Sequence, residues 1–327
     1  MAPPPEALFA DPDHYLFAFD GDRAVFRAMD RAAYHRSIFL DRRISAAGAT
    51  AFDVPLAPLI AWHEQHRPAP PRTGWIFHIA HCGSTLLARA LDFPERSLVV
   101  REPLALRQLG IERIADDPRL PLAAAFLGRR YRADAPAIVK ANVPVNFIAA
   151  DLLGLDPAAP AIFLYFPLRA YLLAILRSEG HRRWVMNVTA QLPGAFTEGD
   201  VVERAAWLWL TQMQLYDAAL ARFPGARSLH AEELFAAPRE VVGAAAAHFG
   251  VRVSASELDA TVDGPLFATY SKGAGQPFDN HARLAQQADA AARLGPELAR
   301  AQSWAEDRAI PARLERPLAG ESPALLG

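Results

Sequence analysis

WIFHIAHCGSTLLARALD, residues 75–92, decides how the chain is read. Its first six residues are an apolar, β-branched and aromatic run, the pattern of a buried strand. Leu86, Leu87, Ala90 and Leu91 then recur at helical spacing, so a helix follows. Between them lies a turn of small residues: His81, Cys82, Gly83, Ser84 and Thr85. A strand feeding a helix through such a turn aims free backbone N–H groups and the positive end of the helix dipole at one spot, which favours phosphate or sulfate. Gly83 permits a conformation or an approach that a side chain blocks, and Ser84 and Thr85 add hydroxyl donors. The alternative is a plain strand, turn and Ser/Thr cap, which any α/β protein needs. GxxxxGK[ST] is absent, so no P-loop lysine serves a β,γ-phosphate, which counts against an ordinary ATPase or kinase.

The chain of 327 residues is long enough for one large α/β domain or two small ones. Its 52% hydrophobic and 21% charged content is that of a globular protein, not a disordered one. A net charge of −2 offers no general attraction for nucleic acid or a membrane surface, so any basic site must be local. Cys82 is the single cysteine, which excludes an intramolecular disulfide. The opening MAPPPEALFADPDHYL lacks a basic stretch followed by an apolar one, and no apolar run is long enough to span a bilayer; a cytoplasmic protein is expected. Of 34 basic residues only Lys140 and Lys272 are lysines. Where a generic charge suffices the chain uses Arg, so these two positions either need a compact ammonium or are chance survivors.

Working outward, residues 1–70 read as an N-terminal strand and helix extension. It has a frayed Pro3-Pro4-Pro5 end, a strand over 14–19, a helix-rich stretch over 24–40, a short helix over 57–62 and a Pro-rich spacer over 67–72. Residues 71–327 then alternate strands and helices. Further strands are expected over 97–101, 137–143, 161–168 and 227–231, with helices between and after them, among them 104–115, one near 145–153, 169–177 and 201–223. A loop is expected over 181–200, and the tail holds a loop at 270–277 and one helix over 281–306. The fold expected is α/β, a three-layer sandwich with a central parallel sheet of about five strands. In such sheets ligands bind beyond the carboxyl ends of the strands. His81 to Thr85, Arg101, Glu102, Lys140, Asn142 and Arg169 all fall there, which suits a polyanionic ligand.

With those residues assembled, the chain resembles the sulfotransferase superfamily, whose donor is 3′-phosphoadenosine 5′-phosphosulfate, over about residues 75–280. IAHCGSTLLARAL (79–91) is similar to the family's 5′-phosphosulfate loop. LVVREPLAL (98–106) looks like the strand-end Arg-Glu-Pro element of bacterial members, and ARSLHAEELFAAPREVVGAAAAHFGV (226–251) like the late strand, Glu-Glu-Leu, turn and helix. The resemblance implies a P-loop-like fold and a transferase that moves a sulfuryl group to a hydroxyl or amine of a small or conjugated acceptor, with no metal. It implies that His81, Cys82, Gly83, Ser84 and Thr85 cradle the phosphosulfate, with His81 where the family carries Lys or Arg. Arg169, with Arg177 eight and Ser178 nine residues on, and Lys272-Gly273 correspond to the 3′-phosphate elements. Glu102 corresponds to the base and Lys140 to a charge on the leaving group; the alternatives are an ion-paired Glu102 and a snorkelling Lys140. Two other functions stay open: a small-molecule kinase of related architecture, and a non-catalytic nucleotide-binding homologue.

Overall fold

The computed structural model describes residues 3–66, 72–192, 194, 196–273 and 276–326, so most of the Pro-rich spacer lies outside the described residues. The strands are β1 (His14–Asp20), β2 (Arg23–Ala28), β3 (Ala51–Pro55), β4 (Thr73–His78), β5 (Leu98–Arg101), β6 (Ala137–Lys140), β7 (Ala161–Tyr165) and β8 (Ala226–His230). The last five form one parallel sheet in the order β5-β6-β4-β7-β8, flanked by helices, an α/β fold as expected. Every residue of β4, β5, β6 and β7 is buried, which is why these strands read as unbroken apolar runs. Because β4 lies in the middle, the turn after it sits at the centre of the sheet's carboxyl edge. In register, Lys140 stands opposite both Ile76 of β4 and Arg101 of β5, so Glu102 begins one residue beyond Lys140.

Five local expectations are corrected. The stretch 24–40 is not mainly helical: β2 fills its first part, and only Arg31–Arg36 is helix, started by the Asp30 carboxylate accepting from the Ala33 N–H. The Pro3-Pro4-Pro5 end is tied down, because Pro5–Ala10 forms a helix that buries Leu8 and stacks Phe9 between Trp62 and Phe126. The supposed loop over 181–200 contains the helix Glu179–Thr189, capped by Ser178 and burying Val185 and Val188. The helix expected near 145–153 is preceded by a tight 3₁₀ turn, Val143–Ile148. The tail helix is two, Asn280–Arg293 and Gly295–Glu306, interrupted at Leu294 before Gly295-Pro296.

Residues before β4 form a three-stranded antiparallel sheet, β1-β2-β3, and they reach the carboxyl edge of the parallel sheet through Arg101. That guanidinium is 1% exposed. It donates to the carbonyls of Tyr34, His35 and Ser37 and to Asp92 Oδ2 at 2.8 Å. Burial opposes ionisation of Asp92, yet hydrogen bonds from His35 and Arg101, and the charges of Arg101 and Arg31, hold its pKa down to about 2. The Leu40 N–H also donates to the Arg101 carbonyl at 2.7 Å. Arg101 is therefore a structural clamp and not a ligand-facing cation. No helix among the described residues is long and apolar enough to cross a membrane.

Candidate active site

The turn after β4 is built from left-handed backbone. Ala80 has φ 69°, His81 φ 50° and Gly83 φ 81°, and Glu102 beyond β5 adds φ 55°. A side chain rarely tolerates that region, so something must hold it. His78 does so for the turn: its Nδ1 accepts from the Ala80 N–H at 3.0 Å while Nε2–H donates to the Ala141 carbonyl at 2.9 Å. The tautomer is thereby set, and burial, then the charges of Lys140 and Lys272, keep the ring neutral well below the usual histidine range. Gly83 is required twice over, since its φ is left-handed and a Cβ there meets Phe235 Cζ at 2.8 Å.

Two cavities open on this turn. The inner one, about 210 Å³, is lined by His81, Gly83, Ser84, Thr85, Arg177, Phe235, Phe267, Tyr270, Lys272 and Arg283, among others. The outer one, about 640 Å³, is lined by Phe39, Arg42, Arg43, His78, Glu102, Arg107, Asn142, His181, Trp184 and Lys272, among others, and again by His81. His81 and Lys272 thus stand where the two meet.

Lys272 has no ion pair or hydrogen bond among the described residues, although its pKa is pushed down by burial and then by the nearby Lys140. Lys272 is half-buried, so it loses part of its hydration without gaining a partner, and an anion placed between the cavities compensates that loss. Its loop is pinned from the first helix of the parallel-sheet unit: Arg89 on Ser84–Ala90 donates to the Ser271 carbonyl at 2.9 Å, and the Gly273 N–H to the Tyr270 carbonyl at 3.1 Å. Thr85 is 2% exposed and its Oγ1 has no partner. The helix Ser84–Ala90 has only seven residues, so side chains must supply most of the attraction that its dipole alone cannot.

His81 packs against His181 with the rings tilted by 50° and their centroids 4.0 Å apart, and meets Trp184 edge-on at 5.9 Å. Burial, then Lys272, His181 and Arg177, hold His81 well below the usual histidine pKa. His181 is held down to about 4 by burial, Arg177 and Lys272, and its Nδ1 receives the Arg177 Nε–H at 3.3 Å. Both imidazoles are neutral without an anion. The turn therefore presents two neutral imidazoles rather than a fixed cation.

On the outer side, Lys140 is 1% exposed and donates to Glu102 Oε1. It lines neither cavity. Glu102 Oε2 has no hydrogen bond among the described residues; the Arg43 guanidinium is 3.9 Å away. Glu102 is thus ion-paired with Lys140 and also lines the outer cavity.

Several expected residues are not brought into the site. Arg169 is exposed in a separate groove with Leu298, Gln302 and Glu306, because its neighbours Leu168, Tyr171 and Leu172 turn inward and carry it outward. Ser178 is exposed and caps its helix by accepting the His181 N–H at 3.3 Å. Arg177 occupies the cavity instead. Cys82 faces the core with its thiol 3.8 Å from the Leu164 carbonyl, and burial lifts its pKa to about 11, so only its backbone N–H is offered to a ligand. His181, Arg283 and Arg43 were not singled out from sequence. An exposed-looking loop hid the first, and the other two read as ordinary surface arginines. No group of three or more His, Cys, Asp or Glu that could hold a metal occurs among the described residues.

No family model matches the chain, and no curated protein matches it. Among solved structures it is similar to a sulfotransferase domain from the curacin biosynthetic pathway, at 14% identity, covering 73% of this chain and 98% of that one, with a TM-score of 0.37. It is similar also to a sulfotransferase from Alicyclobacillus acidocaldarius, at 16% identity, covering 73% and 97%, with a TM-score of 0.38.

Proposed function

We propose that the chain is a sulfotransferase that moves a sulfuryl group from 3′-phosphoadenosine 5′-phosphosulfate to a hydroxyl or amine. The observation that carries this reading is Lys272, a half-buried ammonium with no partner among the described residues, shared by two cavities of different character. The inner cavity supplies Arg177, the free Thr85 hydroxyl and Ser84 for the donor's phosphates, with Phe235 and Phe267 as an apolar wall for a base. The outer cavity supplies a carboxylate oxygen, Glu102 Oε2, for the acceptor.

In the reaction the acceptor oxygen or nitrogen bonds to sulfur as the bond from sulfur to the donor's bridging oxygen breaks. The departing phosphate keeps that electron pair. Glu102 takes the acceptor's proton at Oε2, while Lys140 orients the carboxylate from Oε1 without touching substrate. Lys272 and His81 face the junction, where charge accumulates on the equatorial and bridging oxygens.

The test is a thermal-shift titration with 3′,5′-adenosine bisphosphate, with and without magnesium. At a ligand concentration about 100 times Kd, linkage gives roughly 2.7 kcal/mol of stabilisation. Stabilisation by the bisphosphate without magnesium, lost in Lys272→Met, supports the reading. A response only to ATP with magnesium moves the chain to the kinase class. Bisphosphate binding with no transfer to any acceptor leaves a non-catalytic binder.

A further inference from the structure

The outer cavity carries more positive charge than its own carboxylates use. Asp41 is held by Arg43, whose Nε donates to Oδ1 at 2.9 Å, and Glu102 is held by Lys140. That leaves two guanidinium groups on the wall. Among the described residues Arg42, which is exposed, has no hydrogen bond or ion pair, and the Arg107 guanidinium reaches only the Gln191 amide oxygen, at 2.8 Å. Neither is in the inner cavity, so neither serves the donor. The same lining includes apolar Leu104, Val143, Val188 and the Trp184 ring. The face of Phe39 is already covered, since Arg43 sits 3.8 Å over it. Trp184 is therefore the aromatic surface left for a ligand.

We propose, resting on the donor assignment above, that the acceptor is itself an anion: a small molecule with an apolar body, a reactive hydroxyl or amine at one end and a carboxylate at the other. Arg42 and Arg107 hold the carboxylate, Trp184 and Leu104 hold the body, and the reactive group points at Glu102. Guanidinium is suited to this task because its planar fork matches a carboxylate's two oxygens. An uncharged acceptor of the same shape gains nothing from the two guanidinium groups. The anchor comes from two parts of the chain distant in sequence: Arg42 from the segment clamped by Arg101, and Arg107 from the helix Leu104–Glu112.

The experiment measures equilibrium binding without any donor, so it does not depend on sulfuryl transfer. Matched acids and methyl esters are titrated into the full chain by calorimetry: para-hydroxyphenylacetate, hydroxyhexanoate and para-aminophenylacetate, each against its ester. The acid is expected to bind about tenfold to a hundredfold more tightly than its ester in at least one pair. The Arg42→Gln and Arg107→Gln variants should each erase most of that preference. Gln191→Ala removes the partner of Arg107 but keeps its charge, and should retain the preference. Adenosine bisphosphate binding should be unchanged in all three variants. No preference for the acid in any pair, including no binding by either member, overturns the proposal, as does a preference that survives both arginine variants or is lost equally in Gln191→Ala. If acids bind as expected but the bisphosphate does not bind the parent, the anionic acceptor stands and the donor assignment fails.

Discussion

Lys140 grips one oxygen of Glu102 and leaves the other free: Nζ donates to Oε1, whereas Oε2 has only the Arg43 guanidinium, 3.9 Å away. A carboxylate held in this way keeps a fixed orientation while retaining a lone pair for an incoming proton. The left-handed backbone at Glu102, φ 55°, and the Glu102 N–H donating to the Lys140 carbonyl at 2.7 Å lock the same pair from the main chain.

Glu102→Gln should preserve the shape and the contact with Lys140 while removing the proton acceptor. Turnover is expected to fall by about 10²–10⁴ with bisphosphate affinity unchanged. Lys140→Arg should also lose turnover, because at 1% exposure there is no room for a larger, planar cation. Steady-state rates set beside bisphosphate Kd separate the two effects; parental turnover in both variants removes these assignments.

His81 and His181 should take up a proton when the donor binds. Their pKa values are depressed by burial and by Lys272 and Arg177, and a bound polyanion reverses the electrostatic part of that depression. Affinity should therefore rise as pH falls through the bound-state pKa, and level off below the free-state values. Calorimetry in buffers of different ionisation enthalpy reads the proton uptake directly. His81→Lys should flatten the dependence and keep transfer, because its charge is already present. Affinity independent of pH over about 5 to 8 would falsify proton uptake by the pair.

Acid should destabilise the free protein in two stages. Histidines held neutral in the fold contribute stability that is complete above their unfolded pKa of about 6.5 and is lost as pH falls below it; His78, His81 and His181 set this first stage. Asp92 has a folded pKa of about 2. Its contribution, on the order of 2 kcal/mol, is present above about pH 4 and lost on the way down to about 2. Arg101→Met, which strands the buried Asp92, should cost roughly 3–5 kcal/mol at neutral pH and loosen the segment bearing Arg42 and Arg43. Urea titrations at stepped pH check both; a flat profile from pH 7 to the Asp92 range contradicts the first stage.

Gly83→Ala places a Cβ on left-handed backbone, at a cost of roughly 1–2 kcal/mol, and drives it toward Phe235. The inner cavity should lose its bisphosphate while the chain stays folded, which circular dichroism and the same titration distinguish. Retained affinity in a folded Gly83→Ala variant means the turn is not where the phosphates sit.

Pattern and composition along the chain determined the parallel sheet and the turn after β4, because strands buried on both faces show as continuous apolar runs and a strand-to-helix turn shows as small residues. The scarcity of lysine likewise marked Lys140 and Lys272 in advance. Other features needed the folded chain. Arg169 and Arg177 are both arginines near one helix, yet only Arg177 enters the cavity, since which side of a helix faces a ligand is set by what packs beneath it. Arg101 and Glu102 are neighbours in sequence, yet the strand ends between them, and the left-handed backbone at Glu102 leaves one on Asp92 and the other on Lys140. The segment carrying Phe39, Arg42 and Arg43 has no motif of its own; Arg101 brings it to the site across more than fifty positions. Contacts between residues so far apart are decided by tertiary packing, because no local periodicity records them.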